Sequence, residues 1–184
     1  MKSIEINGKR NVDKINKVPK PQRTVTEKWQ VDDSFFIHSR QIELINHLYL
    51  EEDVNQKYHK DDMTPDTKVR IILKREINAK ISGYKNQDVQ KELFDKMKII
   101  SLEQTIERLM ASKLRCYYCK EHCLLLYKDA LSKRQWTFDR IDNDMGHNYD
   151  NVVVCCLECN IKRGDMDSDR FKRGKEIKFV RKLF

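Results

Sequence analysis

The sequence predicts an α+β fold in which a helical N-terminal region precedes a small strand–strand–helix unit. Apolar residues recur at near-helical spacing across residues 33–110. Two β-prone runs, at residues 135–138 and 151–154, flank a turn-like segment that contains Asp142 and Gly146. A C-x2-C cysteine pair lies on either side of these two runs. Two such pairs are typical of a segment that is held together by a bound metal ion.

The helical region is expected to span residues 31–113. Its apolar pattern places four helices, at residues 33–50, 67–81, 88–97 and 102–110. The second helix is expected to end near Gly83, because glycine is common just after a helix C-terminus. Gln87 or Asp88 would cap the third helix, and Ser101 would cap the fourth.

The positive charge of the chain lies mainly at its two ends. The 184 residues carry a net charge of +8. Residues 1–30 contain 8 Lys and Arg against 3 Asp and Glu, and residues 161–184 contain 9 against 4. Residues 1–30 have no apolar period, so we expect a mobile tail there and a second basic tail at residues 165–184. Basic tails favour binding to a polyanion, although solubility alone would also tolerate them.

The composition is typical of a soluble protein that works inside the cell. No apolar run approaches the roughly 18 residues that cross a bilayer, so we expect no membrane partner. The six cysteines lie in two tight groups, at residues 116–123 and 155–159. Such grouping favours a metal site over the disulfides of a secreted protein.

The two C-x2-C pairs predict a structural zinc site. Cys116 and Cys119 form the first pair, and Cys156 and Cys159 form the second, with 36 residues between the pairs. A C-x2-C turn directs two thiolates the same way, so two pairs complete a tetrahedral site. The zinc would hold together a segment that is too small to bury much apolar area. His122 could replace one cysteine, and buried free thiols are the remaining alternative.

The C-terminal unit resembles a known protein family. The residues that carry the resemblance are QWTFDRIDN and GHNYDNVVVCCLECNIKRG, within residues 135–164. They are similar to the HNH endonucleases of the ββα-metal class, in the form with two zinc-binding C-x2-C pairs. More narrowly, they resemble the HNH proteins of phages and large eukaryotic DNA viruses. The resemblance covers residues 114–164, extends more weakly upstream to about Ile81, and does not reach residues 1–80.

The resemblance implies an endonuclease that hydrolyses phosphodiester bonds in double-stranded DNA with one Mg²⁺ or Mn²⁺. Asp139 and Asn160 correspond to the two protein ligands of the divalent ion. A hard cation prefers few protein oxygens, so this pair would leave positions open for a phosphate. Asn151 corresponds to the residue whose amide fixes the loop that presents the base. A viral relative would act in the host cell or in the virion.

Arg140 departs from the family pattern, in which this position is a histidine that takes a proton from water. Arginine is always charged and has no acceptor atom, so Arg140 cannot be that base. Three explanations remain open. His147, or another group in its loop, supplies the base; Arg140 clamps the phosphate and water attacks without a dedicated base; or the site binds nucleic acid without cutting it.

Basic residues after the second cysteine pair are expected to contact phosphates. They are Lys162, Arg163, Arg170, Lys172 and Arg173. Two other functions compete with the nuclease. The first is a non-catalytic zinc module that binds nucleic acid in a viral transcription or packaging complex. The second is a structural or protein-interaction domain in which zinc only holds the chain together.

Overall fold

The structure is a computed structural model, and it describes residues 29–51, 63–129 and 132–180. Within these ranges it contains five α-helices and one two-stranded antiparallel sheet, which confirms the α+β prediction. The elements are α1 (His38–Leu50), α2 (Pro65–Gln90), α3 (Leu102–Ala111), β1 (Trp136–Arg140), β2 (Val152–Cys156), α4 (Leu157–Arg163) and α5 (Ser168–Val180). The tail expected at residues 1–30 lies outside the described residues, except for Trp29 and Gln30.

Helix α2 is longer than expected, and the prediction of a helix end near Gly83 is wrong. One helix runs without interruption from Pro65 to Gln90, and the residues up to Ser101 form turns instead of a third helix. The cause is tertiary packing, because Tyr84 and Asp88 are both buried beyond the glycine. Their burial outweighs the cost of about 1 kcal/mol that glycine adds inside a helix.

The start of α3 and the positions of the two strands agree better with the sequence-based predictions. Ser101 caps α3 by a capping box with Gln104, as the position of Ser101 predicted. The two β-prone runs form β1 and β2, which pair antiparallel with Trp136 opposite Cys156 and Arg140 opposite Val152. Helix α4 follows β2 directly, so the expected strand–loop–strand–helix unit is present.

The helices and the C-terminal unit share one hydrophobic core. Buried residues of α1 and α2, such as Leu44 and Leu73, belong to the same cluster as Trp136 and Phe138 of β1. Gln41 of α1 adds a polar link between these parts and is fully buried.

The Gln41 side chain bonds to backbone groups on both sides of this core. Its amide nitrogen donates to Phe35 O at 3.1 Å and to Leu126 O at 3.0 Å. Its amide oxygen accepts from Leu125 N at 2.7 Å and from Leu126 N at 3.3 Å. Helix α1 is thereby fixed to the segment that follows the first cysteine pair.

We expect Gln41→Met to destabilise the protein by about 3 kcal/mol or more. The thioether matches the side chain in length but leaves buried backbone groups without partners, at about 1–3 kcal/mol for each group. Chemical unfolding followed by circular dichroism measures the loss. The matched control is Gln90→Met at the exposed end of α2, which should change the unfolding free energy by less than about 0.5 kcal/mol. Equal unfolding curves for the two variants would contradict this role of Gln41.

Candidate functional site

The four paired cysteines form one compact cluster. The Sγ atoms of Cys116, Cys119, Cys156 and Cys159 all lie within 4.8 Å of one another. Cys119 Sγ and Cys156 Sγ are 3.9 Å apart, and a tetrahedron with Zn–S bonds of about 2.3 Å has edges of about 3.8 Å. All six cysteines are free of disulfides. The cluster is therefore positioned to bind a metal ion, and its ligand set suits zinc.

His122 lies outside this cluster. Its ring stacks on His38 of α1, with ring centroids 3.6 Å apart and an angle of 7° between the planes. The metal-binding group that the described residues form consists of cysteines alone.

Backbone hydrogen bonds shape the turn that carries the first cysteine pair. Cys116 N donates to Glu121 O at 2.9 Å, and Lys120 N donates to Cys116 O at 3.0 Å. Lys120 closes this turn with a φ of 62°. Tyr117 N donates to Val154 O at 2.8 Å, which ties the turn to β2 just before the second pair.

Asp139, at the end of β1, lies next to this cluster and is almost fully buried. Its Oδ2 accepts from the hydroxyl of Tyr118, which adjoins Cys119, at 2.7 Å. Its Oδ1 accepts from Arg163 Nη1 at 2.7 Å. Burial raises the pKa of Asp139, while the hydrogen bond from Tyr118 and the charge of Arg163 oppose that shift.

Arg163 was expected at a phosphate, but the structure places it in the interior, only 3% exposed. Besides Asp139, its guanidinium donates to Ile141 O at 3.2 Å and to Asn143 Oδ1 at 3.1 Å. The arginine at the end of α4 therefore holds the acid at the end of β1.

Asn160 projects from α4 toward the same strand. Its Nδ2 donates to Phe138 O at 3.0 Å and to Thr137 Oγ1 at 3.2 Å. These bonds fix the amide plane, and Oδ1 has no hydrogen-bond partner among the residues that the structure describes. One hard oxygen donor of Asn160 is thus left for a ligand.

Asn151 and Arg140 both support the loop between the strands. Asn151 Oδ1 accepts from Asp142 N at 2.9 Å, and its Nδ2 donates to Asp142 O and Gly146 O, each at 3.0 Å. Arg140 Nη1 donates to the carbonyl oxygens of Asn143 and Met145 at 3.0 and 3.1 Å. Arg140 therefore stabilises the loop through two hydrogen bonds from one guanidinium nitrogen, which the shorter side chain of histidine would not form in the same way.

His147 lies in this loop and is held by helix α2. Its Nδ1 lies 2.7 Å from Asp88 Oδ1, and its backbone N–H donates to Asp88 Oδ2 at 2.7 Å. The Tyr84 ring stacks on the imidazole at a centroid distance of 4.5 Å. Burial lowers the pKa of His147, and the bond to Asp88 opposes this shift.

Sequence reasoning missed Asp88 and Tyr84 as parts of the site. Asp88 was expected to cap a helix, since Asp is common at that position. The available signal was Gly146: a Cβ there would lie 2.6 Å from Leu93 O and 3.0 Å from Asp88 Oδ2. A glycine directly before His147 marks a place where another part of the chain comes very close.

A cavity of about 340 Å³ brings most of these side chains together. It lies between β1, α4 and the C-terminal end of α2. Four of the sequence-predicted residues line it, namely Asp139, Arg140, His147 and Asn160. Asn151 does not line the cavity and instead contacts the loop behind it.

The remaining basic residues lie on α4 and α5. The expected tail at residues 165–184 contains helix α5, whose Phe171 packs edge-on against Tyr118 at 5.0 Å. Lys172 extends over the Tyr117 ring at 4.4 Å, and Arg170 and Arg173 are exposed. Lys162 is exposed and pairs with Glu158 at 2.6 Å.

Comparisons with protein-family models, with curated proteins and with solved structures found no match to the chain. None of the helices in the described parts of the chain is long and apolar enough to cross a membrane.

The purified protein is expected to contain one zinc ion per chain, and Cys159→Ser should lose it. The loss should unfold residues 116–164, because a structural zinc contributes on the order of 10 kcal/mol. Elemental analysis and circular dichroism measure the two effects. Cys155→Ala is the matched control, since Cys155 is buried on β2 beside Cys156 but is not among the four clustered cysteines, and this variant should retain its zinc. Folded wild-type protein without any bound metal would contradict the assignment.

Proposed function

We propose that the protein is a zinc-stabilised HNH-type endonuclease that hydrolyses phosphodiester bonds in DNA. One observation carries the proposal most directly: Asp139 and Asn160, which the resemblance implies as ion ligands, come from different elements and line one cavity. The four-cysteine cluster joins the two ends of the unit that contains both residues, and Tyr118, which adjoins Cys119, bonds to Asp139.

The residues present fit a divalent cation such as Mg²⁺ or Mn²⁺. Each carboxylate oxygen of Asp139 accepts one described hydrogen bond and retains a second lone pair. The amide oxygen of Asn160 is also available. Hard cations prefer oxygen donors of this kind and keep several waters. When bound, the ion polarises the scissile phosphate and stabilises the leaving oxygen.

The charges around the cavity favour the binding of a phosphate in addition to a divalent ion. Arg163 neutralises Asp139, so the acid alone gives the cavity little net negative charge to attract a cation. Arg140 also lines the cavity and adds a permanent positive charge. A phosphodiester would supply the missing negative charge and could accept hydrogen bonds from the guanidinium. This electrostatic balance suits nucleic acid and ion binding together.

A basic, partly aromatic surface beside the zinc cluster supports DNA binding. Lys120 and Lys172 both place their ammonium groups over the Tyr117 ring, at 5.2 and 4.4 Å. Helix α5 also carries the exposed residues Arg170 and Arg173. Lysine and arginine side chains that neutralise phosphates supply most of the non-specific affinity for DNA.

A non-catalytic zinc module that binds nucleic acid, as in a viral transcription or packaging complex, is the second candidate. The observation that favours it is the buried pair of Asp139 and Arg163, whose side chains are 8% and 1% exposed. A paired, buried acid can act purely as a structural residue.

Zinc-loaded wild-type protein should nick supercoiled plasmid in Mg²⁺ or Mn²⁺, and Asn160→Ala should lose at least 100-fold in rate. The loss is expected because the variant removes one of two protein oxygens that hold the ion. Asn78→Ala, at an exposed position on α2, is the matched control and should cut at the wild-type rate. DNA binding without cutting by the wild type would instead support the second candidate.

Binding of DNA should weaken steeply with salt, and Lys172→Ala together with Arg173→Ala should reduce the slope of log K against log salt. Each lost phosphate contact lowers the magnitude of that slope by about 0.9. Fluorescence anisotropy with a duplex measures it. The control pair Lys68→Ala and Arg75→Ala removes the same charge from exposed positions on α2. Identical slopes for the two double variants would exclude α5 from the DNA interface.

A further inference from the structure

The end of helix α2 adds a carboxylate, Asp88, that pairs with His147 of the loop between the strands. We propose that His147 is the base that removes a proton from water and that Asp88 is its positioning residue. This inference rests on the proposed nuclease function and assigns the step for which Arg140 is chemically unsuited. Both residues are buried, with His147 5% and Asp88 1% exposed.

Asp88 fixes the imidazole in one tautomer. A carboxylate only accepts hydrogen bonds, so the contact of 2.7 Å between Oδ1 and Nδ1 requires the hydrogen to be on Nδ1. The lone pair of the neutral ring is therefore on Nε2. In the described part of the chain no group bonds to Nε2, and His147 lines the same cavity as Asp139 and Asn160.

The orientation of the ring is fixed from two further sides. Tyr84 stacks on the imidazole, and its hydroxyl is itself held by Phe138 N at 2.9 Å and Thr137 Oγ1 at 3.2 Å. Asp88 Oδ2 also accepts the backbone N–H of His147, so one carboxylate binds both the main chain and the side chain. A ring held in this way needs little reorganisation before it accepts a proton.

Burial, more than the charged groups around it, lowers the pKa of His147 and favours the neutral ring. Helix α2 contributes Asp88 and Lys91 to the surroundings, β1 contributes Asp139 and Arg140, and Asp165 follows α4. Burial is the largest influence and lowers the pKa of His147, and Arg140 also lowers it. Asp88 and Asp139 act in the opposite direction. Tyr84 adds no charge, because burial raises its pKa to about 12.

The reaction step balances with water as the only co-reactant. One proton of the water moves to Nε2 of His147, and the water oxygen forms a new bond to phosphorus. The bond between phosphorus and the leaving 3′ oxygen breaks, the leaving oxygen keeps the electron pair, and it takes a proton from solvent. The imidazolium is stabilised by Asp88 until it returns its proton to solvent.

Arg140 has a different task in this scheme. Its guanidinium holds the loop through Asn143 and Met145, and that loop presents His147. Histidine at position 140 would lose at least one of these two bonds. In this scheme the base is His147 of the loop between the strands, and its partner Asp88 comes from the end of α2.

The test compares His147→Ala and Asp88→Asn with wild type in plasmid nicking across pH 5 to 9. We expect His147→Ala to lose about 10²- to 10⁴-fold and to lose the acidic limb of the wild-type pH profile. Imidazole in the buffer should restore part of its activity. Asp88→Asn places an amide nitrogen near Nδ1, which favours the wrong tautomer, so it should lose activity while retaining zinc. His47→Ala and Asp33→Asn, both at exposed positions, are the matched controls.

Nitrogen-15 NMR of His147 supplies a readout that does not depend on turnover. Wild type should show hydrogen on Nδ1, and Asp88→Asn should shift it toward Nε2. If both variants nick DNA at the wild-type rate, the proposed catalytic role of His147 and Asp88 is wrong, while the nuclease function itself stands. A wild type that cuts no DNA would overturn the nuclease function and the pair together. Should His147→Ala lose its fold, His147→Gln, which retains a donor toward Asp88, decides the same question.

Discussion

The four-cysteine cluster is the constraint on which the rest of the C-terminal unit depends. The unit has only two strands and a seven-residue helix, and a two-stranded sheet is marginal without further support. The cluster joins the turn at Cys116 to the start of α4, and Tyr118 of that turn bonds directly to Asp139. Loss of the cluster would therefore release the acid on β1 and the amide on α4 at once.

A second constraint is the buried pair between Asp139 and Arg163. Burying two charges costs several kcal/mol. Hydrogen bonds to Tyr118, Ile141 and Asn143 offset part of that cost here, while the buried Nε of Arg163 has no partner among the described residues. The pair sets the geometry at the end of β1, and it also limits how strongly Asp139 alone attracts a cation. Helix α2 contributes a comparable buried contact, from Asp88 to His147, which lines the same cavity as Asp139.

The sequence correctly predicted the features that depend on residues close to one another in the chain. The cysteine pairs, the β-prone runs and the capping residue Ser101 each act within a few residues of their own position. The length of α2 could not be predicted in this way, because it depends on the burial of Tyr84 and Asp88 against a distant loop. The interior position of Arg163 could not be predicted for the same reason, since an arginine at the end of a helix in a basic segment resembles a surface residue until its partner is known.

We propose that Asp139 and Asn160 hold a divalent cation when nucleic acid is present. Anomalous diffraction from crystals grown with Mn²⁺ and a DNA duplex tests it most directly. We expect a manganese peak in contact with oxygens of both residues and of a phosphate, separate from a zinc peak among the four cysteines. A zinc peak alone, with DNA bound and no ion between Asp139 and Asn160, would contradict it.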